Sequence, residues 1–143
     1  MTHLARYAIA LLLLVCPGLT AGASVKVELA GKIFNVDTAV TPSEWAKGLQ
    51  HRTHLDTHAG MLFIYPKAHQ LSFWMKDTLL ALDILFFDAT GALLNIHHNV
   101  QPCRAPPCTI YSSHGPAQYV LEFNAGTAKA LGARSGDKFT ILP

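Results

Sequence analysis

The chain has 143 residues, half of them hydrophobic and only 14% charged, with three cysteines and eight histidines. Eleven Lys and Arg against nine Asp and Glu give a formal net charge of +2. That balance excludes the strongly basic face of a non-specific nucleic-acid binder and an acidic disordered tail; the length accommodates one domain with one core.

Residues 1–23 read as a secretory signal peptide. His3 and Arg6 give a polar, positive start, Tyr7 to Val15 form an unbroken apolar run, and Ala21-Gly22-Ala23 is a small-x-small site with cleavage before Ser24. The run is about half of the roughly 20 residues that span a bilayer, so no membrane span is expected after cleavage. The competing reading makes Cys16 a lipidated residue, but Val15 stands where a small residue belongs and Pro17 follows. Removing the segment leaves a nearly neutral chain of about 47% hydrophobic residues, ordinary for a globular domain. The expected location is periplasmic or secreted. Cys103 and Cys108 then remain as a pair, and in an oxidising compartment a disulfide between them is the default.

Further along, Val25, Val27 and Leu29 alternate with Lys26 and Glu28, and Gly31 turns the chain into Lys32–Asp37, with Phe34 and Val36 on one face. Thr41, Pro42 and Glu44 form a capping box that starts a helix; Trp45 and Leu49, four apart, form its buried edge. Gly60–Tyr65 reads as a strand ended by Pro66, with Leu71–Lys76 pairing back on it. Leu82–Phe87 is continuously apolar, as in a central strand covered on both faces. A turn at Asp88–Gly91 leads to a strand over Ala92–Val100, then a Pro-rich loop over 101–117 carries both cysteines. Gln118–Asn124 is another strand, Thr127–Leu131 a turn of helix, and Lys138–Leu142 the last strand. The fold class expected is mainly β: an antiparallel β-sandwich or partly closed barrel with one short α-helix.

These residues carry a family resemblance. Glu44, Gly48-Leu49, Arg52 and Leu55, Gly60-Met61-Leu62-Phe63, Phe73-Trp74-Met75-Lys76-Asp77-Thr78, Leu82-Asp83-Ile84, Tyr119-Val120-Leu121-Glu122, Ala125-Gly126 and Gly136-Asp137 together resemble the prokaryotic domain of unknown function 192 family. The match runs from about residue 25 to the end, and Phe-Trp-Met-Lys is its most specific string. The resemblance implies a β-rich domain, often behind a signal peptide, and no established activity. The sequence departs from the pattern in two places: Asp77 stands where the family usually has Asn, and Gln50-His51 where it has Met and an aromatic.

Several constellations could carry chemistry. Period-two alternation over Phe73–Thr78 sets Phe73, Met75 and Asp77 on one face and Trp74, Lys76 and Thr78 on the other. Trp74 with Lys76 makes a platform for a sugar ring, a carboxylate or a partner's side chain; equally, the Trp packs and the Lys stem covers apolar surface. Asp83 and Glu122 sit inside apolar runs, where an unpaired carboxylate is costly, so both need partners. Arg52 and Lys76 are the natural ones. If these groups converge they form a polar pocket; if they pair off separately they are structural clamps.

Histidine is plentiful, but His51, His54 and His58 lie beyond the expected helix end, and His97 and His98 point to opposite faces of a strand. Neither set resembles paired metal-ligand spacing, so no metal or cofactor is expected. Between Cys103 and Cys108 two prolines already stiffen the loop, so the bridge would contribute about 2 kcal/mol. Tyr111-Ser112-Ser113 and His114 lack a Gly-x-Ser-x-Gly elbow, and a rigid surface loop is expected there.

The functional expectation is an exported, non-catalytic binding or interaction module of the cell envelope. Its candidate ligand site comprises Arg52, Trp74, Lys76, Asp77, Asp83 and Glu122, and its partner is a small polar ligand or an envelope protein rather than nucleic acid. One alternative is an envelope-directed hydrolase with Asp77 or Asp83 as base and Lys76 and Arg52 stabilising an anion. Another is a metal-binding protein using His51, His54 and His58.

Overall fold

The structure, a computed structural model, describes residues 23–143. The signal-peptide expectation falls on residues outside that range. The elements are β1 (Ser24–Leu29), β2 (Lys32–Ala39), α1 (Pro42–Lys47), β3 (Ala59–Phe73), β4 (Leu82–Phe87), β5 (Leu93–Val100), β6 (Tyr111–Asn124), α2 (Thr127–Leu131) and β7 (Phe139–Leu142). The strands form one seven-stranded sheet in the order β5-β4-β6-β3-β2-β1-β7. It curls into a half-barrel. At one end the two edges meet, where Ala92 bridges Lys138 and the Leu93 N–H donates to the Asp137 carbonyl at 2.8 Å.

Alternation along the strands sorts the apolar side chains onto two faces, each with its own core. One is built from all seven strands and includes Val27, Phe34, Val36, Leu62, Phe87, Phe123 and Phe139. The other gathers Met61, Phe63, Ile84, Phe86 and Val120, and is covered by Trp45 of α1 and by Leu49, Leu55 and Met75 from the connecting segments. Every residue of β4 is buried, as expected for a strand covered on both sides.

Three expectations need correction. All pairings are antiparallel except one: β2 and β3 run parallel, joined by a crossover through α1. The capping box marks that helix in sequence, but a helix this short gives no βαβ signal. Second, Pro66 does not end its strand and Leu71–Lys76 does not pair back. β3 runs on to Phe73 alongside β6, because a register shift between Ile64 and His69 gives the proline a position where no ladder hydrogen bond is required. Third, Tyr111–Ala117 is not loop but the first half of β6. The Ser113 hydroxyl accepts from the Leu71 N–H at 3.0 Å and donates to the Gly115 carbonyl at 2.7 Å, stitching this irregular stretch to β3. Cys103 and Cys108 are disulfide-bonded with Cα atoms 5.6 Å apart. Among the described residues no helix is long and apolar enough to cross a membrane.

Candidate functional site

Helix α1 starts as its sequence dictates. The Thr41 side chain accepts from the Glu44 N–H at 3.4 Å, and the Glu44 carboxylate accepts from the N–H groups of Thr41 at 2.9 Å and Val40 at 2.8 Å. The Val40 and Thr41 hydrogen bonds hold the Glu44 carboxyl below the usual carboxylate range. So fixed, the helix lays Trp45 on Tyr65 of β3, with ring centroids 4.5 Å apart, while the indole N–H donates to the Ala39 carbonyl at 3.0 Å. The helix ends at Gly48, whose φ of 45° suits glycine; a Cβ there would also come within 3.2 Å of the Phe63 ring.

Between this helix and the segment leaving β3 lies a pocket of about 180 Å³, with walls formed by Trp45, Phe63, Tyr65, Phe73, Trp74 and Thr78. Glu122 of β6 also lines it. In the sheet Glu122 stands between Met61 of β3 and Ile84 of β4, and it is only 5% exposed. Its carboxyl makes no hydrogen bond or ion pair with any described residue. Burial pushes it up to about 8. Burial, and then the charge of Glu122, push the Tyr65 hydroxyl up to about 12. Burial thus favours the protonated form of the one carboxyl that faces these aromatic rings.

The sequence-derived candidates separate into distinct places. Trp74 and Glu122 share the pocket. Trp74 is half exposed, and Lys76 Nζ lies 5.6 Å from its ring centroid, so the Trp/Lys platform forms at the pocket's rim. The alternation that was expected to carry it stops at Phe73, where β3 ends, and Asp77 takes a positive φ of 56°. Asp77 is exposed, and its carbonyl accepts from the His51 N–H at 2.9 Å, tying the turn after α1 to this segment. Arg52 instead pairs with Asp37 at 2.6 Å, with both side chains more than a third exposed.

Asp83 and Glu122 do not take Arg52 or Lys76 as partners. Asp83 is fully buried, and its two oxygens accept from the N–H groups of Asn99 and Ala128, each at 2.8 Å. It is a clamp between β5, α2 and the sheet. Beside it lies a larger, more open depression of about 580 Å³ around α2, lined also by His98, Lys129 and Arg134. The groups of the hydrolase alternative thus do not meet in one cleft: Asp83 and Arg52 line different depressions, and Asp77 stands at the surface. Among the described residues no group of three or more His, Cys, Asp or Glu is placed to hold a metal ion. His54 pairs with Asp56 at 2.7 Å, and His97 contacts the Ser112 carbonyl at 2.8 Å while His98 faces the α2 depression.

Tyr65 and Trp45 were not among the sequence candidates. Tyr65 lies two residues beyond the core residue Phe63 and so shares its face, a signal that period-two alternation carries. Trp45 packs at the core edge, as its spacing from Leu49 predicts, and the same ring forms a pocket wall.

The family model of the domain of unknown function 192, described as "Uncharacterized ACR", matches residues 24–141. Two crystal structures are similar. One, from Sinorhizobium meliloti 1021 and provisionally labelled a transcription regulator, is 36% identical with a TM-score of 0.80, covering 87% of this chain and 98% of its own. The other, a protein of unknown function from Novosphingobium aromaticivorans DSM 12444, is 35% identical with a TM-score of 0.79, covering 88% of this chain and 90% of its own. No curated protein matches the chain.

Proposed function

For this chain, which belongs to the domain of unknown function 192 family, we propose the role of an exported, non-catalytic binding module of the cell envelope. Its site is the pocket between α1 and the Phe73–Thr78 segment. One observation carries the reading: Glu122, a residue only 5% exposed and without a hydrogen bond to a described residue, opens its carboxyl onto an aromatic-walled pocket. Among the described residues no fully enclosed side-chain oxygen or nitrogen lacks a hydrogen bond, so the Glu122 carboxyl, which has none, reaches the open space of the pocket, where a ligand's donor can meet it. Export draws its support from the charge, apolar run and small-x-small site of residues 1–23 and from the Cys103–Cys108 disulfide, which suits an oxidising compartment. Nucleic acid is not the partner in this reading, since a formal net charge of +2 gives the chain little overall attraction for a phosphate backbone.

Binding rather than catalysis fits the pocket's composition. Its lining holds one carboxyl and neither histidine nor cysteine; the Ser72 and Thr78 hydroxyls bond Ser112 and the Lys76 carbonyl, so neither hydroxyl is hydrogen-bonded to a base. The test is chemical-shift mapping of residues 24–143 against four fragment classes: sugars, carboxylates, amines and short envelope peptides. The expected result is that one class moves the signals of Trp45, Tyr65 and Trp74, and that Trp74→Ala abolishes the effect. Unmoved pocket signals with all four classes would overturn the reading.

A further inference from the structure

We propose that the pocket receives an organic ammonium group, a primary or methylated amine, with Glu122 as its counter-ion and Trp45, Tyr65 and Trp74 as its π walls. This rests on the reading of the pocket as a ligand site and assigns the ligand class.

Three features of the pocket select that chemistry. The first is size. A volume of about 180 Å³ accepts a headgroup of a few heavy atoms and falls below the roughly 300 Å³ at which drug-sized pockets begin.

The second is how its polar groups are already engaged. The Ser72 hydroxyl bonds that of Ser112 at 2.9 Å, the Gln50 amide donates to the Ala46 carbonyl at 3.2 Å, and the Thr78 hydroxyl donates to the Lys76 carbonyl at 3.4 Å. Glu122 is the one carboxylate in the lining, and it makes no hydrogen bond or ion pair with a described residue. A sugar ring brings several hydroxyls that each need a partner; a single ammonium needs one carboxylate and apolar or aromatic surroundings. An anionic ligand would bring its charge against ionised Glu122, with the exposed Lys47 of α1 the one cation in the lining.

The third is the aromatic wall. Ring faces attract cations, and this chain already gives an instance, since the Lys76 ammonium stands over Trp74 at the pocket's rim. An incoming ammonium meets the same kind of surface with a carboxylate behind it.

A pH signature follows. The ammonium pairs with ionised Glu122, so binding expels the carboxyl proton to solvent. Affinity then rises about tenfold per pH unit up to the Glu122 midpoint near 8 and levels off above it. The other titratable groups lining the pocket are Tyr65 from β3, raised to about 12 and silent in this range, and the exposed Lys47 from α1. β4 brings only Ile84 beside Glu122.

The experiment titrates residues 24–143 by NMR with choline, whose charge is constant with pH, and with its neutral isostere 3,3-dimethylbutan-1-ol, at pH 6, 7, 8 and 9. Butylamine, a lysine-containing tripeptide and phosphatidylcholine vesicles are parallel arms that separate a free amine, a protein side chain and a lipid headgroup as the source. The inference predicts that at least one ammonium probe shifts Trp45, Tyr65 and Trp74 and that the neutral isostere does not. Affinity should be about a hundredfold weaker at pH 6 than at saturation. Glu122→Gln, checked for native signals elsewhere, should lose at least tenfold at pH 9. Equal binding of the isostere, or undiminished binding by Glu122→Gln, would overturn the ammonium assignment. Sugars or carboxylates binding in its place would overturn it too, while leaving the binding-module reading standing; silence from every fragment would remove both.

Discussion

Asp83 and Glu122 are both buried carboxylates in neighbouring strands, and the chain treats them in opposite ways. Asp83 sits where β4 passes the start of α2 and the end of β5, and both its oxygens are taken by backbone N–H groups. Glu122 sits one strand over, between Met61 and Ile84, and accepts no hydrogen bond from a described residue. The difference is one of surroundings: Asp83 lies near the end of β5 and the start of α2, which have spare N–H groups, whereas Glu122 lies in the middle of a ladder whose N–H groups are already spent. The first carboxylate therefore holds the fold together, and the second is available to something else.

The largest expected effect comes from removing the satisfied partner. Asp83→Ala leaves the Asn99 and Ala128 N–H groups without acceptors and should cost about 3–5 kcal/mol in urea unfolding. A cost under about 1 kcal/mol would show that Asp83 is not a clamp and would break the contrast.

Glu122→Gln should behave in the opposite sense. The folded-state carboxyl titrates near 8 against an ordinary 4.5, so the native state holds a proton that the unfolded chain has released. Wild-type stability is therefore full below 4.5 and falls by about 1.4 kcal/mol per pH unit as pH rises towards 8. Glu122→Gln lacks that slope. The two proteins should be similar at pH 5 and diverge in favour of the variant by pH 8, as read from urea midpoints across that range.

Smaller effects sharpen the picture of the pocket wall. Thr41→Ala removes the N-cap of α1 and should cost about 1 kcal/mol. By loosening the helix over Glu122 it should also draw the carboxyl's midpoint down towards 4.5, measurable by NMR titration. Arg52→Ala breaks an exposed pair with Asp37 and should cost under about 1 kcal/mol; the Glu122 midpoint should not move, because Arg52 lies outside the pocket.

Much of the fold is legible in the residues themselves. The hairpin around Gly31, the capping box at Thr41–Glu44, the doubly buried Leu82–Phe87 strand and the Cys103–Cys108 bridge all depend on local pattern. What sequence hides depends on distant pairing. Pro66 looks like a strand end because its tolerance comes from a bulge set by β6, some fifty residues on. The β2–β3 parallel pair is invisible because α1 is too short to announce a crossover. The same division holds for the site: Trp74 and Lys76 are found together by spacing, and Glu122 stands out as a carboxylate in an apolar run. That Asp83 is satisfied and Glu122 is not follows only from which strands flank each one.

The most direct test of the central claim is a carbon-13 NMR titration of the Glu122 side-chain carboxyl in the folded protein without ligand. A buried, partnerless group gives a midpoint near 8. A midpoint near the ordinary 4.5 would mean that the carboxyl is hydrated or paired, and would contradict the account.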